Sequence, residues 1–136
     1  MNYLNPVLDK QDILPVSSLG LAYIGDGVYE LLVRTWLLSN AHTSAPDLHR
    51  LAVSLVNAPA QAEAFSVIEP VLKEEELAVF KRGRNARVNH IPQHASVAEY
   101  HTATGLEALF GWLYLHGEQE RIQELFSLII RRISHD

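Results

Sequence analysis

The chain has 136 residues, 48% hydrophobic and 20% charged, with a formal net charge of −5 and no cysteine. That is enough apolar material for one domain around a single core, and the missing cysteines exclude disulfides and thiolate metal sites. The acidic sum excludes a protein that coats nucleic acid through its overall charge, though not one with a local basic patch.

No apolar run reaches transmembrane length, and Met1–Lys10 lacks the layout of a signal peptide. The expected compartment is therefore the cytoplasm, with no membrane partner. Residues 1–15 carry no clear period, and Pro6 and Pro15 mark them as an extended lead-in. Ser17 and Ser18 are natural N-caps for a helix running to about Leu38. At 100° per residue, Leu21, Ile24, Val28, Leu31, Leu32 and Thr35 form a broad apolar stripe. Ala22, Val33, Trp36 and Leu37 carry apolar character around most of the rest, leaving a narrow polar strip of Asp26, Glu30 and Arg34. A helix apolar nearly all round is predicted to be buried, which puts Asp26 in or near a cleft. The plain alternative is that Glu30 pairs with Arg34 and Asp26 is solvated, a contact worth only about a few tenths of a kcal/mol. Gly25 and Gly27 flank Asp26, and a glycine inside a helix costs roughly 1 kcal/mol against alanine. A close helix crossing beside the carboxylate would account for both.

A second helix is predicted from Pro46 and Asp47, with Leu48, Leu51, Ala52 and Leu55 as its stripe. Asn57-Ala58-Pro59 restarts the chain into a third, through about Ile68, with Ala62 and Phe65 inward. A fourth, about Lys73–Arg82, opens on Glu74–Glu76 and closes on Lys81-Arg82, the polarity that suits a helix dipole. Lys81, Arg82, Arg84 and Arg87 then put four of the eleven Lys and Arg within seven residues, where Gly83 and Asn85 make a poor helix interior. A basic loop on an acidic body is either a solvated turn or a grip on phosphates, and its density and arginine weighting favour the grip. His90 and His94 are four apart, but Pro92 opposes the helix that would aim both at one zinc.

Ser96 can cap a fifth helix, about Val97–His116, with Leu106, Leu109, Phe110 and Leu113 inward and Glu107 at the border, beside Tyr100, Thr104, Gly111 and Tyr114. Glu118–Ile133 is cleanly amphipathic, with Ile122, Leu125, Phe126, Ile129 and Ile133 on one side. No strand pattern of useful length occurs, so the predicted class is all-α.

Two mostly buried helices thus each present an acid near glycine: Gly25-Asp26-Gly27, and Glu107 with Gly111 one turn later. If they cross, the carboxylates meet, which is unfavourable unless a cation neutralises them or one takes a proton. An all-oxygen site suits Mg²⁺, which binds through one or two carboxylates and completes its shell with water and phosphate oxygens. Such an ion serves phosphodiester hydrolysis. The competing explanation is a carboxylate satisfied by Arg34 or by a helix end. His101, one turn before Gly105, either helps position a phosphate or packs at a helix start. Tyr23, Tyr29 and Trp36 are better explained as core or interface filling than as base-stacking platforms. Nucleotide-cradling and serine-hydrolase motifs are absent.

Leu21–Glu30 (LAYIGDGVYE), Lys81–Arg87 (KRGRNAR) and Leu106–Leu115 (LEALFGWLYL), in this order and spacing, resemble the Mini-ribonuclease III family over roughly Leu19–Leu128. The resemblance implies a ribonuclease III endonuclease-domain-like helical bundle without a double-stranded RNA-binding domain, residues 1–136 forming a single catalytic domain. It further implies a homodimeric, Mg²⁺-dependent endoribonuclease that cuts double-stranded RNA, leaves 5′-phosphate ends and matures the ends of 23S ribosomal RNA precursor. A ribosomal protein on the precursor is a further candidate partner. The family's essential aspartate falls on Asp26, and its metal-binding glutamate on Glu107. The RNA-contacting segment carries over as Lys81, Arg82, Arg84, Asn85 and Arg87, and Tyr100, His101 and Thr104 become candidate water or phosphate positioners. Full-length ribonuclease III enzymes carry two more acids at the places held here by Ala22 and Thr104, which leaves the number of metal ions open. His101 stands where an arginine is associated with the family, so a phosphate contact there is pH-sensitive or absent. The main rival is a non-catalytic dimeric helical protein that binds structured ribosomal RNA, which would gain nothing from acids beside phosphate. A helical phosphohydrolase would be expected to bring a histidine-and-aspartate metal set on its helices, whereas the one adjacent His-Asp pair, His135-Asp136, falls outside the predicted helices.

Overall fold

The computed structural model describes residues 1–86 and 95–135, and every long element among them is a helix. In chain order these are α1 (Lys10–Ile13), α2 (Ser18–Asn40), α3 (Ala45–Val56), α4 (Ala58–Ile68), α5 (Glu74–Arg84), α6 (Val97–Leu115) and α7 (Gln119–His135), with a 3-10 turn at Glu69–Val71 after α4. The predicted all-α class stands. No single helix among the described residues is long and apolar enough to cross a membrane.

Short polar side chains start the helices by accepting backbone N–H groups that have no partner within the helix. Ser17 accepts from Gly20, Ser44 from Asp47, and Asn57 from Ala60. Ser96 and Glu99 bond each other's backbone N–H reciprocally. The lead-in is less extended than expected. Asp9 caps the short α1, the Leu8 N–H donates to the Leu115 carbonyl at 2.8 Å, and the Tyr114 hydroxyl donates to the Tyr3 carbonyl.

α6 is the central element. Its buried residues run from Ala103 to Leu113 on nearly every side, against α2, α4, α5 and α7. Tyr29 meets Phe110 and Phe126 edge-on, with ring centroids 5.3 and 5.9 Å away. Phe65 stacks on Phe80 at 3.6 Å.

α2 is not buried all round, as its composition suggested. Its inner face is Leu21, Ala22, Gly25, Tyr29, Val33 and Leu37, an i, i+4 ridge laid on α6. Leu31 and Thr35, expected in the inner stripe, are exposed, and Tyr23, Leu31 and Leu38 stand 84%, 61% and 72% accessible. A helix with apolar residues on two sides can cover α6 with only one of them. On α4 the inward residues are Gln61, Ala64, Phe65 and Ile68, with Ala62 only half-buried.

A buried ion pair joins α5 to α7. Arg121 donates from Nε and Nη2 to the two oxygens of Glu76, each at 2.8 Å, and from Nη2 to the Val71 carbonyl, also at 2.8 Å.

Candidate active site

The site is built where α2 crosses α6. A Cβ added at Gly25 would lie 1.6 Å from the Glu107 carbonyl oxygen, and one at Gly111 would lie 2.0 Å from the Leu21 carbonyl oxygen. Two backbones in such contact admit only glycine at either position. The crossing places the residue after Gly25, Asp26, beside the side chain of Glu107, close enough for the two carboxyl groups to hydrogen-bond. Gly27 has no part in it, since a Cβ there would meet nothing within 4 Å. The expectation that one crossing explains both glycines is corrected: Gly27 points away from α6.

Asp26 is exposed and Glu107 half-buried. Burial, then hydrogen bonding with Asp26 and its charge, push the Glu107 carboxyl up to about 8. The opposing influence is Gln61 of α4, whose Nε2 donates to Glu107 Oε2 at 3.4 Å. A pocket of about 310 Å³ opens beside Glu107, lined by Asn57, Gln61, Tyr100, Thr104 and Glu107 among others. Two facing carboxylates at neutral pH must share a proton or a cation. Among the described residues no cluster of three or more His, Cys, Asp or Glu stands ready for a metal ion. The oxygen-only pair therefore suits a hard ion that keeps most of its water, as Mg²⁺ does, and not zinc. Arg34 does not satisfy either acid, because it pairs with Glu30 at 2.7 Å.

Residues 19–118 match the family model of the ribonuclease III domain. The chain belongs to that family. It is 43% identical over 129 residues to a Mini-ribonuclease 3 of Clostridium tetani, covering 94% of this chain and 85% of the relative. A Mini-ribonuclease 3 of a Thermoanaerobacter species is 42% identical over 127 residues, covering 93% and 89%. The crystal structure of a Fusobacterium nucleatum protein superposes with a TM-score of 0.81 at 33% identity, covering 88% of this chain and 96% of that one. The ribonuclease III helical bundle is thus the fold, and the activity class is endoribonuclease.

The other expected site residues of this ribonuclease III domain are spread around the crossing. α5 continues through Gly83 to Arg84, beyond its predicted end at Arg82. A Cβ at Gly83 would lie 2.6 Å from the Ala108 Cβ, and one at Gly105 would lie 2.7 Å from the Phe80 ring. A second close crossing therefore holds the basic end of α5 against α6, at Gly105, two residues before Glu107. Lys81 and Arg82 are exposed. Arg82 lines a different pocket, with Lys10 and His116, on the side of α1. Arg84 lies over the Phe80 ring at 5.7 Å and donates from Nε to Asn85 Oδ1 at 3.3 Å. Arg87 lies outside the described residues, as do His90 and His94.

Tyr100 and Thr104 both face the pocket beside Glu107, the Thr104 hydroxyl donating to the Tyr100 carbonyl at 3.0 Å. His101 does not line it, and its Nδ1 is buried without a hydrogen-bond partner among the described residues.

The sequence marks Asn57 only as a helix start and gives no place to Gln61, yet both line the pocket beside Glu107. The available signal was Gln61 standing in the i, i+3, i+4, i+7 stripe with Ala64, Phe65 and Ile68, a place where an amide needs a buried partner.

Proposed function

We propose that this endoribonuclease requires Mg²⁺, acts as a homodimer and cuts double-stranded RNA, with 23S ribosomal RNA precursor as its substrate and 5′-phosphate ends as its product. A single ribonuclease III-like catalytic domain over residues 1–136 carries this activity in the cytoplasm, and a ribosomal protein on the precursor is a further partner. The observation that carries the reading is the meeting of Asp26 and Glu107 at a backbone-to-backbone helix crossing.

Asp26 and Glu107 would hold the ion. When bound, Mg²⁺ lowers the pKa of water and stabilises charge on the phosphate and leaving oxygen. The chain supplies the rest. Gly25 and Gly111 lock the two helices, so the carboxylates are already placed when substrate arrives. Glu107 would hold the ion as a carboxylate, a proton and a cation being alternatives between the two acids. Asp26, being exposed, leaves the site open to an RNA backbone. Lys81, Arg82, Arg84, Asn85 and Arg87 contact the RNA and neutralise its phosphates, which makes cleavage strongly salt-sensitive. Tyr100 and Thr104 position water or phosphate from the pocket beside Glu107.

The dimer reading is supported by the outer face of α2. Tyr23 and Leu31 lie two turns apart on one exposed line that continues toward Leu38, and an apolar line of this kind fits a second copy. Two-fold symmetry then offers one site to each strand.

The test is cleavage of double-stranded RNA with Mg²⁺ or with EDTA, by the wild type and Asp26→Asn. Cutting is expected only by the wild type with Mg²⁺. An Asp26→Asn variant that cuts at the wild-type rate overturns the assigned mechanism, and a wild type that binds but does not cut with Mg²⁺ favours a protein that only binds ribosomal RNA.

A further inference from the structure

We propose that Gln61 is the positioning residue of the acid pair: its side-chain amide holds one oxygen of Glu107 so that the other is presented toward Asp26 and a divalent cation. The inference rests on the metal-dependent reading above and adds to it a residue from a third helix.

Gln61 is 2% exposed on α4, among Ala64, Phe65 and Ile68, in a place that a leucine or methionine would fill without any polar requirement. A primary amide so placed loses its water, and the loss is recovered only where a partner of fixed position receives its N–H. That partner is Glu107 Oε2, 3.4 Å from Nε2 and 46 residues along the chain. Three helices therefore converge on the site: α2 brings Asp26, α6 brings Glu107, and α4 brings the donor that orients it.

The choice of an amide is informative. A lysine or arginine would orient Glu107 equally well but would cancel the negative charge that draws a cation. A third carboxylate would add repulsion to a pair already disfavoured by its own charge. A neutral donor orients the carboxylate and leaves the net charge of the site unchanged. Outer residues that fix metal-binding carboxylates and imidazoles typically change metal affinity about 10–100-fold when removed.

The experiment uses the full chain without RNA and titrates it with Mn²⁺, followed by calorimetry and by the electron paramagnetic resonance of free Mn²⁺. Wild type, Asp26→Asn, Gln61→Met and Gln61→Leu are compared, and the Mg²⁺ concentration for half-maximal cleavage is measured for each active protein. Gln61→Met and Gln61→Leu are expected to bind Mn²⁺ about tenfold more weakly and to need correspondingly more Mg²⁺, while their rate at saturating Mg²⁺ stays within about threefold of wild type. Gln61→Met, which conserves volume and flexibility, gives the answer if Gln61→Leu fails to fold. Wild-type Mn²⁺ affinity and Mg²⁺ dependence in a folded Gln61→Met overturn the inference and leave the nuclease reading standing. Equal Mn²⁺ binding by wild type and Asp26→Asn removes the metal site itself, and the inference with it.

Discussion

Glu76 and Glu107 are two glutamates drawn into the interior of one small domain, and their surroundings act in opposite directions. Burial raises both. At Glu76 the two hydrogen bonds from Arg121, the Lys73 backbone N–H and the charge of Arg121 outweigh burial, and the carboxyl is held below its ordinary value. At Glu107 the neighbour is Asp26, a like charge, and Gln61 alone opposes the shift, so the carboxyl rises to about 8. The first acid is paired with an arginine, and the second faces a like charge with only a neutral amide against it. The partner's charge, more than the depth of burial, separates a carboxylate held as an anion from one pushed toward its protonated form.

Breaking the first arrangement should produce the largest change. Glu76 and Arg121 side chains are 4% and 10% exposed, so removing one leaves the other charged and buried. Arg121→Ala is expected to destabilise by about 3–5 kcal/mol, read as a fall in the urea midpoint, with specific cleavage activity of the folded fraction unchanged. A loss below about 1 kcal/mol would mean that Glu76 is satisfied without its arginine.

The second arrangement should break in the opposite sense. Asp26→Asn removes the like charge, so it is expected to reduce cleavage by on the order of 10²–10³-fold or more while keeping, or slightly raising, the melting temperature of the metal-free protein at pH 8. A variant that loses activity only because it unfolds would erase the distinction between the two glutamates.

Their pH dependences should also diverge. The Glu76 carboxyl titrates lower in the folded chain than in the unfolded one, so its contribution is complete at neutral pH and is lost in acid, as pH falls through the folded value. The Glu107 carboxyl titrates higher, at about 8 against 4.5 unfolded. Its contribution is therefore present below 4.5 and is lost as pH rises toward 8, at up to roughly 1.4 kcal/mol per pH unit. In EDTA, stability should decline from pH 5 to pH 8, and Mg²⁺ should lift the pH 8 end most. A flat profile in EDTA would show that Glu107 is solvated, not held against Asp26.

Much of this arrangement is legible in the sequence, and the illegible parts share a cause. Ser17, Asn57 and Ser96 mark their helix starts because a cap acts on residues two or three places away. Asp26 and Glu107 stand out because each is an acid near a glycine on an apolar helix. Gly83 looked like the end of α5 because its cost is local, whereas its compensation, contact with Gly105 and Ala108, comes from α6. Gln61 is hidden for the same reason, its partner lying 46 residues away. On α2, periodicity reveals two apolar sides without saying which one α6 covers.

Gly25 and Gly27 show how far that limit reaches, because they look alike in the sequence and differ in space. Alanine at Gly25 would collide with the Glu107 backbone, whereas alanine at Gly27 would meet nothing within 4 Å. Gly27→Ala should therefore stabilise an isolated chain by about 0.5–1 kcal/mol, since it restricts the unfolded state and improves helix propensity without strain. The residue stands between Tyr23 and Leu31 on the exposed line of α2, where a second copy is proposed to pack. If that packing brings a partner's backbone against Gly27, the gain appears only in dilute, monomeric protein, and dimer dissociation becomes easier. Melting curves across protein concentrations, set beside sedimentation equilibrium, separate the cases. A gain that persists unchanged into the dimer would show that Gly27 faces solvent in the assembly and that the close contact between copies lies elsewhere along α2.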